Sequence, residues 1–190
     1  MTTMPVQERM TADEFLALPE RQGARFRELV DGEVVVNEPT AVHSLVQGNL
    51  YLAFRLWMRA ALRRGRAFTP IDVGMDERNV FAPDLSWYAA SSGMDVESPA
   101  PYGRPDLVAE VRSPSTWRYD VGAKKSAYER SGLPELWLVD TPADEVLVFR
   151  RSTPGAGIFD LALELGRGEA LESPLLPGFR LALDELFDLT

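Results

Sequence analysis

Three consecutive segments constrain the fold of this chain more than any other feature: Leu107-Val-Ala-Glu-Val-Arg112, the stretch Asp120 to Ser131, and the apolar run Leu136 to Val139. The first reads as a buried strand, the second as a helix ended by Gly132, and the third as a second buried strand. Upstream, Phe26 to Val30 alternates, Asp31-Gly32 is a strong hairpin turn, and Glu33 to Asn37 returns. A hairpin and a strand–helix–strand crossover in one chain predict an α/β (α+β) fold around a mixed β-sheet flanked by helices.

The remaining elements fit that plan. Thr11-Ala-Asp-Glu14 is a capping box opening a short helix to about Leu18. After Pro39-Thr40, the residues Val42, Leu45, Val46, Asn49, Ala53, Leu56 and Ala60 recur at helical spacing. Strands are expected at Arg66 to Val73, Phe81 to Trp87, Val146 to Arg150 and Ile158 to Leu165, a Ser/Gly/Pro-rich loop at Ser91 to Pro105, and a terminal helix near Leu183 to Phe187. With 190 residues, a single domain over 1–190 is expected. The longest apolar run, Leu50 to Phe54, is five residues against the about 20 that cross a bilayer, and Met1 to Met10 lacks a signal-type stretch. No membrane association and a cytoplasmic location are therefore expected.

The absence of cysteine excludes disulfides and thiolate metal sites, and a lone histidine, His43, excludes multi-histidine metal centres. Any metal must be held mainly by oxygen. Glu110 interrupts a buried strand, Asp84 sits in Phe81-Ala-Pro-Asp-Leu-Ser-Trp87, and Glu28 lies on the first strand beside Val30. A buried carboxylate is costly unless it is paired or binds a metal. Glu110 could pair with Arg112 or another arginine; alternatively, convergence of the three acids would suit Mg²⁺ or Mn²⁺. Of 20 basic residues only two are lysine, the adjacent Lys124 and Lys125. Helical geometry separates them: Lys124 shares a stripe with Val121 and Tyr128, whereas Lys125 is one turn from Glu129 and can pair with it at the surface.

Taken in order, Glu28-Leu-Val-Asp-Gly32, Pro83-Asp84, Val108-Ala-Glu110-Val-Arg-Ser-Pro-Ser-Thr116, Asp120, Lys124 to Tyr128, and Gly132-Leu-Pro-Glu-Leu-Trp-Leu-Val-Asp140 resemble the Uma-two family. That family is a restriction-endonuclease-like branch of the PD-(D/E)XK nuclease superfamily. The resemblance covers about Met10 to Arg150, with a C-terminal extension over 151–190. It implies a restriction-endonuclease-like core with an N-terminal hairpin, C-terminal strand and helix additions, and metal-dependent phosphodiester hydrolysis in nucleic acid, DNA being expected. Asp84 and Glu110 would be the metal ligands for Mg²⁺ or Mn²⁺, Glu28 an additional acid and Lys124 the catalytic lysine. The superfamily's usual lysine position, two residues after the second acid, is Arg112 here; Arg112 could bind phosphate or neutralise Glu110. His43 corresponds to a histidine at the start of the family's long helix and is a weak substrate-binding candidate, or packs there as neutral imidazole. Trp57, Trp87 and Trp137 read as core.

The net charge of −9 argues against broad attraction to nucleic acid and favours a rival reading, a catalytically inactive binding or assembly module on the same fold. A hydrolase of another phosphate ester is a third. For the nuclease, a local arginine patch including Arg112 and Arg118 is expected to hold phosphates. The protein is expected to be a homo-oligomer, such as a homodimer. Lys124→Ala is expected to remove turnover with the fold intact, and Lys125→Ala to be nearly silent.

Overall fold

The structure, a computed structural model, describes residues 9–19 and 26–190. The reading of Met1 to Met10 falls almost wholly outside those residues. Thr11 caps the short helix α1 (Ala12–Leu16) with both halves of the capping box in place. Strands β1 (Phe26–Val30) and β2 (Glu33–Asn37) pair antiparallel with Leu29 opposite Val34 and Val30 opposite Glu33. Asp31 and Gly32 both take positive φ, 48° and 79°, the geometry that matches a two-residue turn to strand twist.

The long helix α2 (Ala41–Arg59) is capped by Thr40. Its buried stripe is His43, Val46, Leu50, Phe54 and Trp57, whereas Val42, Leu45 and Leu56 are exposed. The apolar spacing in the sequence therefore selected mostly the outer stripe: α2 carries apolar residues on two faces, and the aromatic one packs. Two expected strands each split in two. Arg66 to Val73 becomes β3 (Arg66–Phe68) and β4 (Val73–Asp76); Phe81 to Trp87 becomes β5 (Asn79–Phe81) and β6 (Leu85–Tyr88). Pro70 and Pro83 lie in the breaks, where a residue without an N–H cannot continue a ladder.

Across those breaks the chain moves between sheets. One sheet has the order β2-β1-β5-β4. The other comprises β7 (Leu107–Val111), β8 (Glu135–Asp140), β9 (Glu145–Arg150) and β10 (Leu161–Leu165) with β6 and β3, in the order β10-β9-β8-β7-β6-β3. Its parallel pair is β7 with β8, joined by the expected crossover; the other pairs are antiparallel. Helix α2 covers one face, packing Leu50, Phe54 and Trp57 against Leu85, Trp87, Ala109 and Trp137. Strands β11 (Ala170–Leu171) and β12 (Leu181–Ala182), missed in the sequence because each is two residues long, join the terminal helix α5 (Leu183–Leu186) in closing that core. The opposite face meets Val30, Val35 and Phe81 of the smaller sheet and Ala127, Tyr128 and Leu133 of the crossover.

The crossover is not one uniform helix. It runs from α3 (Trp117–Tyr119) through a π-helical segment, Asp120–Lys124, into α4 (Lys125–Arg130). The i→i+5 bonding of a π segment widens the turn, which keeps positions i and i+4 on one face but carries i and i+3 further apart. Asp120 and Lys124 are consequently both buried, and Val121, expected on the inward stripe, is exposed.

Candidate active site

Register brings the acids together. Leu85 lies opposite Ala109, so Asp84 and Glu110 are cross-strand neighbours on the face turned toward the smaller sheet. Asp84 Oδ2 accepts a 2.7 Å hydrogen bond from the Val111 amide, and the Gln47 side chain fixes the Asp84 carbonyl at 2.8 Å. Glu28 reaches the same space from β1, its Oε1 accepting from the Ala82 amide at 2.8 Å.

Lys124 stands among these groups. Its Nζ is 2.9 Å from Glu28 Oε1, 2.8 Å from Glu110 Oε1 and 3.0 Å from Asp120 Oδ1. The Tyr128 hydroxyl donates to Glu110 Oε1 at 2.6 Å, and Thr116 Oγ1 donates to Asp120 Oδ2 at 3.1 Å. Thr116 is held in turn by Ser113, so the two buried hydroxyls at the ends of the Ser113-Pro-Ser-Thr116 turn position Asp120. His43 Nε2 lies 3.1 Å from Asp84 Oδ2, out of line for a ring hydrogen bond, and both ring nitrogens are buried without a partner.

Charge does not balance here. Three carboxylates (Glu28, Glu110 and Asp120) surround one ammonium, and a fourth, Asp84, lies across from Glu110; all four residues are 4% exposed or less. Burial is the strongest influence on Glu110 and raises its carboxyl; Lys124 opposes, and the neighbouring acids leave it well above the ordinary range. Glu28 is raised by burial against the pull of Lys124. Burial would lower Lys124, but Asp120, Glu110 and Glu28 outweigh it and hold the ammonium well above the usual lysine range. Burial and the Glu110 charge raise the Tyr128 phenol well above its usual value, so it remains a donor.

The arginines lie elsewhere. Arg112 does not pair with Glu110: its Nη1 is 2.9 Å from both Asp140 carboxylate oxygens, and its guanidinium stacks 5.3 Å over Trp117. The next strand offers an acid at closer reach. Arg118 is exposed and folds onto Tyr119. Lys125 does not pair with Glu129 either; it sits 4.5 Å over the Phe149 ring, while Glu129 accepts from the Phe159 amide. Since Arg112 is about a third exposed, Arg112→Ala is expected to cost no more than about 1 kcal/mol in chemical denaturation.

Sequence reasoning named Glu28, Asp84, Glu110 and Lys124, all of which meet here, but assigned no role to Asp120 or Tyr128. The signal was their spacing, Asp120, Lys124 and Tyr128 at four-residue intervals across the crossover.

A family model for Uma2, described as "Putative restriction endonuclease", matches residues 12–184, a span that includes every residue of this cluster. The chain belongs to the Uma2 family. A solved structure, that of "a putative nuclease belonging to DUF820" from Anabaena variabilis ATCC 29413, superposes on this Uma2 chain with a TM-score of 0.76 at 22% identity, covering 94% of this chain and 97% of the other. At that identity the likeness establishes a shared fold. Comparison of the Uma2 chain with curated proteins returns no match.

Proposed function

We propose that this Uma2 protein is a divalent-metal-dependent nuclease that hydrolyses phosphodiester bonds in nucleic acid, DNA being the expected substrate. The carrying observation is the buried excess of carboxylate, with Asp84 and Glu110 side by side at β6 and β7 and Lys124 fixed among Glu28, Glu110 and Asp120.

The donor set fits a hard cation with a largely aqueous shell. The protein's hydrogen bonds leave Asp84 Oδ1 and Glu110 Oε2 without a donor among the described residues. Those residues include no group of three or more His, Asp or Glu arranged to hold a metal, so Asp84 and Glu110 would bind Mg²⁺ or Mn²⁺ with water completing the shell. When bound, such an ion supplies Lewis-acid polarisation of the phosphate and lowers the pKa of water. The chain's own residues do the remaining work. The Val111 amide and Tyr128 fix the two carboxylates; Glu28 and Asp120 hold Lys124 protonated; the Lys124 ammonium offsets charge developing on the phosphoryl oxygens.

The test is cleavage of single- and double-stranded DNA and RNA with Mg²⁺ or Mn²⁺. Cleavage abolished by EDTA and by Glu110→Ala is the expected result; no cleavage of any substrate would favour the noncatalytic module.

The raised Glu110 carboxyl gives a pH signature. Between the ordinary carboxylate range and its raised value, the folded chain binds more protons than the unfolded one, so metal-free stability falls as pH rises through that window. Lys124, raised above its unfolded value, keeps its contribution until the pH passes the lysine range. In EDTA, Tm is therefore expected to fall as pH is raised from the ordinary carboxylate range through the raised value of Glu110, and the gain from added Mg²⁺ to grow over the same range. Thermal scans across a pH series check both.

A further inference from the structure

We propose that the corner where α2 turns into β3 is a second anion site that grips the phosphate backbone of duplex DNA away from the carboxylates; this rests on the nuclease reading above. Residues 39–71 contain five arginines and no Asp or Glu, in a chain whose other residues therefore sum to −14. The 29 acids are otherwise spread along the chain, so this +5 segment is a marked asymmetry.

The backbone gathers the charge. Arg63 and Gly65 both take left-handed φ, 61° and 74°, and turn the chain back on itself; a Cβ on Gly65 would lie 2.1 Å from the Tyr88 carbonyl oxygen. Arg59, Arg63 and Arg66 are exposed around this corner, and none of the five arginines is in a salt bridge among the described residues, where the paired arginines are Arg112, Arg150, Arg167 and Arg180. Asp95 feels the charge of Arg66, yet its carboxylate accepts from the Glu97 amide and the Ser98 hydroxyl; Asp106 accepts from the Ala89 amide. Arg64 is fixed differently, donating to the Trp57 carbonyl at 2.7 Å and lying 4.8 Å over its ring.

Beside these arginines lie two depressions of about 810 and 420 Å³, both lined by Arg63, Arg64 and Ala89. Unpaired guanidiniums at the rim of a concave surface suit phosphate oxygens, which accept paired N–H bonds. The corner is joined to the carboxylates by α2 itself: His43 touches Asp84, and Arg59 lies about 24 Å further along the axis at 1.5 Å per residue. This corner is a basic patch separate from Arg112 and Arg118, the arginines the sequence pointed to.

The test measures binding of a labelled duplex of about 30 base pairs in EDTA, across a salt series, for wild type and for Arg59→Ala/Arg63→Ala/Arg66→Ala. The triple variant is expected to bind about ten-fold or more weaker and to flatten the slope of log K against log salt by roughly 2–3, since each neutralised phosphate contributes about 0.9. The corresponding triple lysine variant should restore the slope, and Arg180→Ala, remote in sequence and paired with Glu172, should leave it unchanged. These arginines are exposed, so Tm reports any unintended folding defect. A triple variant with wild-type affinity and slope overturns the proposal, and if wild type still cleaves DNA with Mg²⁺, the nuclease reading survives that result. Absence of both binding and cleavage in wild type overturns the two together.

Discussion

Lys124→Ala is expected to lower stability and turnover together. Its ammonium is 2% exposed and within 3.0 Å of three carboxylates. Truncation would leave those carboxylates buried with no counter-charge, a loss on the order of 3–5 kcal/mol. For a chain of this size that corresponds to a fall in Tm on the order of 10 °C. Turnover should fall by about 10²–10³, the typical cost of removing one group that stabilises developing charge. The sequence-based expectation of an intact fold is thus corrected: the residue holds the site together as well as facing it. Added Mn²⁺ should recover part of the lost Tm, because the uncompensated carboxylates can take up a cation. Lys124→Arg should fail as well, since a planar fork cannot replace a compact ammonium among three acids. Lys125→Ala should cost no more than about 1 kcal/mol, the value of a partly exposed cation–π contact. Wild-type Tm in Lys124→Ala would contradict the buried network.

Glu135→Ala is expected to cause a comparable loss of stability for an unrelated reason. Glu135 is fully buried and accepts from Arg150 Nε and Nη2 at 2.8 and 2.9 Å, from Trp137 Nε1 at 2.6 Å and from Ser173 Oγ at 2.7 Å. It ties β8 and β9 to the C-terminal segment. Its removal leaves a guanidinium, an indole N–H and a hydroxyl without their shared acceptor, again on the order of 3–5 kcal/mol. Denaturant titration should show the lower midpoint. The protein that remains folded should cleave at the wild-type rate, because Glu135 makes no contact with the carboxylate cluster.

The contrast between these residues shows what the sequence could convey. Glu28, Asp84 and Glu110 were legible because each puts a charge into an apolar alternation, and the hairpin and crossover were legible from turn chemistry and period. The π-helical widening was not, because nothing in Asp120-Val-Gly-Ala-Lys124 distinguishes i→i+5 from i→i+4 bonding; Asp120 and the outward turn of Val121 were missed with it. The pairing of Arg112 with Glu110, one of the two readings open in the sequence, fails because alternation gives the face a side chain leaves from but not which acid lies closest, and Asp140 arrives from 28 residues away. On α2, two apolar stripes compete, and only tertiary packing selects the one with Phe54 and Trp57.

The central claim is that Asp84 and Glu110 bind one divalent cation. Calorimetric titration of the metal-free protein with Mn²⁺ tests it directly, alongside Asp84→Asn and Glu110→Gln, which keep side-chain shape while removing charge. A single saturable site in wild type, lost or greatly weakened in both variants while they remain folded, is the predicted result. No Mn²⁺ binding by wild type, or equal binding by all three proteins, would contradict it.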